Sequence, residues 1–313
     1  MNYPYANGII KAVENKVFDR NKFLRLLKTD KSDFFETLVE LGYGEAGNNV
    51  SELIAGELAA VRKLIDEITP EKKLTDLFFL ANDAINIKAY YKMKLFSVRE
   101  VNFFAQSGNL ESDVLKKAIL EEDYTSLPKV YQKFFKNLEE FKTETNPRIL
   151  SAKVDNAIFG HIASVLKLRP QNALAVYYRT YVDFQNVLIL VRSRHLDWEL
   201  PRFLEMFINF GSIPYEVFQE AYLKNGEQLV AAFRDYHQEK ISKGLKRYLE
   251  YEDLDALENY FDRELLETMR FFQNDAFDIG PLLYYYLLKQ AEAKNIKIIY
   301  GAQKPELSDL IDY

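Results

Sequence analysis

Apolar residues recur along this chain at steps of three and four, the spacing that gathers them on one face of an α-helix. Residues 74–85 show the pattern clearly. Leu74, Leu77, Phe78, Ala81 and Ile85 predict a helix that turns this stripe inward. Polar punctuation predicts where helices begin and stop. Thr69-Pro70-Glu71 and Asn146-Pro147 each read as an N-cap followed by proline at the first helical position. Asp33-x-x-Glu36 has the form of a capping box, and Gly42 after Leu41 the form of a helix C-terminus. Ile213-Pro214 and Gly280-Pro281 mark breaks followed by new helices. Nothing reads as a chain of alternating strands. The pattern predicts an all-α fold with no sheet.

Within this apolar periodicity one polar pattern is written three times. The segments ANDAINIKAY (81–90), YVDFQNVLIL (181–190) and AEAKNIKIIY (291–300) each carry acid-x-x-Asn-aliphatic. The pairs are Asp83 with Asn86, Asp183 with Asn186, and Glu292 with Asn295. The acids lie 100 (183 − 83) and 109 (292 − 183) residues apart. Such spacing predicts three cognate helical repeat units, residues 1–100, 101–200 and 201–313. Positions i and i+3 share a helix face, which also carries Phe79 and Tyr90 in the first copy. Its counterparts are Arg179 and Leu190 in the second copy, and Leu288 and Ile299 in the third. A helix apolar on two sides with one polar pair embedded belongs inside a bundle. The expectation is that the Asn amide donates to the carboxylate, whose other lone pairs take free N–H groups of a neighbouring helix. Stranding one partner of such a pair costs about 1–3 kcal/mol.

A catalytic reading competes with this structural joint. Asn82-Asp83-x-x-Asn86 loosely echoes the aspartate-rich helices that hold magnesium in all-α isoprenoid enzymes. Magnesium wants hard oxygen ligands, usually several carboxylates beside phosphates. Here each copy offers one acid, and the second has Val182 where the first has Asn82, which favours the joint. Residues 42–47, GYGEAG, match G-x-G-x-x-G, but a helical pattern precedes them where a dinucleotide fold needs a strand. No phosphate-cradling G-x-x-x-x-G-K-[ST] occurs. His161, His195 and His237 lack metal-ligand spacing, His161 reading as a partly buried helix residue and His195 as a helix end. The basic clusters RSRH (192–195) and KLRP (167–170) and the acidic runs EEFKTET and EYEDLDALE read as solvated helix ends and faces. No catalytic constellation, metal site or cofactor site is expected.

Composition narrows the class further. The 313 residues, 48% hydrophobic and 14% aromatic, suffice for a large core and, by length, for about two domains. With 12 Gly and 9 Pro the chain is poor in loop formers. Its 21 Tyr and 23 Phe suit wide helix–helix or protein–protein contacts. A net charge of −6 argues against general nucleic-acid binding, which needs clustered Lys and Arg. The absence of Cys removes disulfides and thiolate chemistry. MNYPYANGII lacks the basic and apolar regions of a signal peptide, and no window approaches the eighteen or so uncharged apolar residues of a membrane span. The expectation is a soluble, cytoplasmic protein.

These residues together resemble a family. The opening Tyr3-x-Tyr5-Ala6-Asn7, the stretches VDNAIFGHIASVL and YYRTYVDFQNVLILVRSR, and LENYFDRELLETMRFFQNDAFDIGPLLYYYLLKQAEAKNIKII are similar to the C subunits of prokaryotic V-type (A-type) rotary ATPases, counterparts of the eukaryotic d subunit. The likeness spans essentially the whole chain and rests on order and spacing. The family commonly continues its opening with Ala-Arg-Val-Arg, where this chain has Gly8-Ile9-Ile10-Lys11. The resemblance implies a funnel of three similar units around a pseudo-threefold axis, a rotor part of the central stalk. Its partners would be the shaft subunits and the membrane proteolipid ring, at the cytoplasmic face of the membrane. It implies no catalysis, nucleotide or cofactor, and leaves H⁺ or Na⁺ as the transported ion. A helical-repeat scaffold of another complex stands beside this reading, although HEAT- and TPR-like periods of about 34–47 residues fit a period near a hundred poorly.

Overall fold

The computed structural model describes residues 2–44, 47–96, 108–138, 143–167 and 169–313. Among them every regular element is helical and no strand occurs, as the periodicity predicts. The early helices are α1 (Tyr3–Val13), α2 (Arg20–Leu27), α3 (Phe34–Glu40), α4 (Val50–Ile68) and α5 (Lys72–Phe96). Next come α6 (Ser112–Leu120), α7 (Lys129–Asn137), α8 (Pro147–Leu166), α9 (Ala173–His195) and α10 (Leu200–Glu205). The last are α11 (Tyr215–Tyr222), α12 (Gly226–Ala231), α13 (Lys240–Tyr251), α14 (Leu254–Arg270) and α15 (Gly280–Gly301).

Local chemistry sets most of the boundaries. Asn2, Asp19, Asn49 and Asn146 cap α1, α2, α4 and α8 by accepting first-turn N–H groups, which satisfies donors with no intrahelical partner. Asn146-Pro147 behaves as its sequence predicts. At the end of α3, Gly42 has φ +80°, its N–H bonds Val39 O at 2.9 Å, and the Tyr43 N–H bonds Leu38 O at 3.0 Å. This double bond around a left-handed residue is a Schellman stop, and it accounts for the glycine. Of GYGEAG, residues 45 and 46 lie outside the described residues, as do residue 168 of KLRP and residues 139–142 of EEFKTET.

Other expectations are corrected. Thr69 does not open α5. It closes α4, its N–H bonding Ile65 O at 2.9 Å, because α4 propagates to Ile68 before Pro70 can act. Asp33 stands at the N-cap of α3 but makes no side-chain cap bond, since its backbone is already α-like (φ −101°, ψ −1°) and not extended. On α5, Leu74, Leu77 and Phe78 are buried, whereas Ile85 is 42% exposed. The inward stripe therefore drifts to the surface, and Phe79, Asp83, Asn86 and Ile87 face the interior.

The chain forms two compact bodies. One comprises the chain up to Thr75 with Asn172–Leu174 and Asn259–Tyr313; the other comprises Asp76–Gln171 and Ala175–Glu258. In the first, Phe18, Phe23, Phe34 and Tyr43 meet Ile296 and Ile299 of α15 in one core. In the second, Phe207, Phe218 and Phe233 form an aromatic series with centroids 5.2 Å apart, and Leu150, Val154 and Ile158 of α8 are fully buried. Helix α15 is buried nearly all round, which explains a sequence apolar on two sides. By length and composition α8 alone, among the described residues, could cross a membrane. It carries Lys153 and Asp155, however, and Asp155 pairs with Lys88 at 2.7 Å.

Candidate functional site

All six residues of the repeated acid-x-x-Asn pattern are buried: Asp83, Asp183, Asn186, Glu292 and Asn295 at 0% exposure and Asn86 at 1%. A buried carboxylate needs several donors to replace water. Each of the three finds them in backbone N–H groups just before the start of a helix. Asp83 accepts from Asn109 N–H at 2.9 and 3.0 Å and from Leu110 N–H at 3.1 Å, ahead of α6. Asp183 accepts from Ser212 N–H at 2.9 and 3.1 Å and Ile213 N–H at 3.1 Å, ahead of α11. Glu292 accepts from Phe18 N–H at 2.6 Å, ahead of α2. Leu110, Ile213 and Phe18 each stand two residues before their helix.

The amides do a different job from the one expected. Asn186 does not bond to Asp183. Its Nδ2 donates to Ile208 O at 2.8 Å and its Oδ1 accepts from Ile208 N–H at 2.8 Å. Asn295 repeats this on Ile311, at 2.8 and 2.7 Å, and leaves Glu292 alone. A primary amide matches a peptide group donor for acceptor, so each amide clamps one backbone residue in both directions. In the second copy acid and amide thus grip two points of one neighbouring segment, and in the third they grip two segments.

Close approach imposes a further residue choice. A Cβ on Gly108 would lie 2.2 Å from Asp83 Oδ1, and one on Gly211 would lie 2.1 Å from Asp183 Oδ1. Both glycines immediately precede the gripped N–H groups, so neither carboxylate tolerates a side chain there. In the third copy the gripped segment is assembled from distant parts of the chain. Glu292 holds Phe18 while Asn295 holds Ile311, and Tyr313 Oη donates to Phe18 O at 3.1 Å.

Two of the carboxylates also meet a cationic or ionisable partner. Lys289, only 1% exposed, ion-pairs with Glu292 and with Glu57, the latter at 2.7 Å. Burial pushes the Glu292 carboxyl above its ordinary value, and Lys289 and the Phe18 N–H pull it back. Burial likewise raises the Tyr43 phenol, whose ring lies 5.1 Å from Lys289 Nζ. His237 Nε2 lies 2.7 Å from Asp183 Oδ2. His237, Gln238 and Glu239 all have positive φ (49°, 53° and 63°), a strained run for non-glycine residues. Lys289 is visible in the sequence, three positions before Glu292; His237 carries no such signal.

Ser212, His237 and Asp183 adjoin one another but do not form a hydrolytic relay. The Ser212 hydroxyl bonds Asp183 directly, and the same imidazole nitrogen faces both groups. A relay needs the two ring nitrogens to serve serine and carboxylate separately. Among the described residues no cluster of three metal-ligating side chains occurs. His161 is half-buried in α8, its ring 6.1 Å from that of Phe134, and His195 is the last residue of α9. In RSRH, Arg192 pairs with Glu258 at 2.6 Å and Arg194 donates to Lys224 O at 2.6 Å, so both are engaged within the fold.

Comparison with known proteins gives a consistent set. Residues 6–307 match the family described as ATP synthase (C/AC39) subunit. The C subunit of the A-type ATP synthase of Methanosarcina barkeri is 22% identical, over 98% of this chain and 91% of its own. Its counterpart in Methanosarcina mazei is also 22% identical over the same shares. The C subunit of the V-type sodium ATPase of Enterococcus hirae is 20% identical, over 98% of this chain and 96% of its own.

Proposed function

From the premise that this chain belongs to the ATP synthase (C/AC39) subunit family, we propose that it is a non-catalytic rotor component of a V/A-type ATPase. In this reading it joins the central shaft to the membrane proteolipid ring and passes on the rotation that drives, or is driven by, H⁺ or Na⁺ movement. It sits at the cytoplasmic face as a peripheral component, with the shaft subunits and the ring as its partners. It takes no nucleotide, nucleic acid or cofactor. The family match along residues 6–307 carries this reading.

The geometry supports it in two ways. A part that transmits torque must resist deformation, and close-packed helices do so because their interiors are as dense as molecular crystals. The joints add stiffness where packing alone is weakest, at helix entrances. Asp83, Asp183 and Glu292 each fix backbone N–H preceding a helix; Asn186 clamps the loop ahead of α11 a second time, and Asn295 clamps Ile311. We read these joints as the repeated feature of three cognate units, residues 1–100, 101–200 and 201–313, around a pseudo-threefold axis.

Purification of the rotary complex from gently solubilised membranes tests the proposal. The chain is expected to travel with the shaft and ring subunits. Its selective removal is expected to leave ATP hydrolysis running while ion movement falls to background, and adding it back restores coupling. A chain that elutes apart from an intact complex, or whose removal leaves ion pumping unchanged, overturns the reading.

A further inference from the structure

Two cations of the second body have no part in the joints. At the position four residues before each repeated acid, α5 carries Phe79 and α15 carries Leu288, but α9 carries Arg179. Arg179 Nε donates to Ala175 O at 3.2 Å and its Nη2 donates to Pro170 O. These bonds set the guanidinium in the wall of a cavity of about 180 Å³ between α8 and α9. Lys167, exposed just past the end of α8, stands in the same wall and has no ion-pair or hydrogen-bond partner among the described residues. The remaining wall is apolar, with Phe159, Ile162, Leu166, Val182 and Phe210. Tyr178 contributes its ring, since its hydroxyl is taken up by Leu77 O and Phe78 O at 2.9 and 2.6 Å.

No carboxylate joins this lining. Between Asp155 and Asp183 the sequence holds Lys167, Arg169 and Arg179 and no acid, and between Glu205 and Glu216 it holds none either. Asp183 itself is buried and turned to the N–H groups of Ser212 and Ile213. Leu166 in the last turn of α8 and Ala175 in the first turn of α9 both line the cavity. The opposite helix ends therefore offset one another, and the two side-chain charges decide the sign. Phe210 adds a second mark. It takes φ 78°, a left-handed position costly for a non-glycine residue, yet its ring stays 48% exposed. The ring lies so close to α8 that a Cβ on Gly160 would be 3.1 Å from it. Backbone strain of this kind collects at ligand sites.

We propose that this cavity binds a medium-chain carboxylate, with its tail among Phe159, Ile162 and Val182 and its head on Lys167 and Arg179. The apolar wall calls for the tail, and two cations without a carboxylate call for the anionic head. A cavity of about 150 Å³ holds a benzene ring, so one of about 180 Å³ takes a single short tail and not the paired chains of a phospholipid.

Sodium octanoate titrated into the full chain and followed by isothermal titration calorimetry tests the site. One saturable binding event per chain is expected, weakened by salt because the head is held ionically. Affinity should rise about fourfold per methylene from butanoate upward, then level off once the tail fills the cavity. Octanol and octylamine, with the same tail, should bind at least about tenfold more weakly, and so should octanoate to Lys167→Gln with Arg179→Gln. Circular dichroism checks that this variant keeps its fold, and Lys167→Glu alone serves if it does not. Ala163 also lines the cavity, so Ala163→Leu fills it and should abolish binding. The proposal is overturned if octanoate gives no saturable heat, if octanol binds as well, or if the folded variants bind like the native chain. Affinity that keeps climbing with tail length, as in detergent-like adsorption, overturns it too.

Discussion

Replacing Asp183 by alanine isolates the cost of one joint. The substitution removes the acceptor of Ser212 N–H, Ile213 N–H, the Ser212 hydroxyl and His237 Nε2. The hydroxyl and the imidazole can turn toward water. The Ile213 N–H cannot, since Ile213 is 4% exposed. Stranding a buried donor costs about 1–3 kcal/mol, so this one with the lost charge-assisted contacts gives about 2–4 kcal/mol. Unfolding entropy of about 2.1 cal/mol/K per residue makes this a fall in Tm of about 3–6 °C for a chain of this length. The control is Glu220→Ala, whose side chain is 73% exposed and whose pairing with Lys224 spans 3.6 Å. Exposed pairs contribute about 0–1 kcal/mol, so its Tm should move by about 1.5 °C at most. Thermal unfolding followed by circular dichroism and calorimetry measures both. If Asp183→Ala melts together with Glu220→Ala, the carboxylate is not what holds the segment before α11.

Three further outcomes follow from the same joints. Gly108→Ala and Gly211→Ala place a Cβ 2.2 and 2.1 Å from a buried carboxylate oxygen; each should lower stability by about 2 kcal/mol or more, and unchanged denaturation midpoints would contradict the close approach. Glu292 has a raised folded pKa, so above its ordinary value of 4.5 the native state keeps a proton that the unfolded chain has released. Stability therefore falls as pH rises through that window, and the Tm of Glu292→Gln minus that of the native chain should increase with pH; a flat or falling difference refutes the shift. The amides of Ile208 and Ile311 bond the same acceptor type at 2.8 and 2.7 Å, but only Ile208 shares a short loop with its gripped neighbours. Hydrogen exchange should be about tenfold faster at Ile311, and equal protection would show that the third joint opens no more easily than the second.

The helices were legible because period and caps are local properties of the sequence. The burial of the six acid and amide residues was legible for the same reason, each acid and amide standing three apart on one helix face. What they bind was not. Ser212, Ile213, Ile208 and Ile311 lie in connections whose placement comes from tertiary packing, and no local rule points a carboxylate at them. A trace existed in Gly108 and Gly211, each four residues before a new helix, but the third copy has Lys16 at that place and breaks the pattern. His237 was unreadable, because three consecutive left-handed non-glycine residues run against every local preference. Thr69 failed for the opposite reason: two neighbouring helices competed for one residue, and the longer reach of α4 kept it.

Uniting Phe18 with Glu292 closes a separation of 274 residues, against 26 for Asp83 and Asn109. Chain entropy makes that closure about 2 kcal/mol dearer, and during synthesis Phe18 must wait for nearly the whole polypeptide before its N–H finds a carboxylate. The amino-terminal aromatics are therefore the last to be sealed. Until α15 arrives, the nascent chain carries Phe18, Phe23 and Phe34 as sticky surface, and its safety from aggregation rests on how soon that final helix docks.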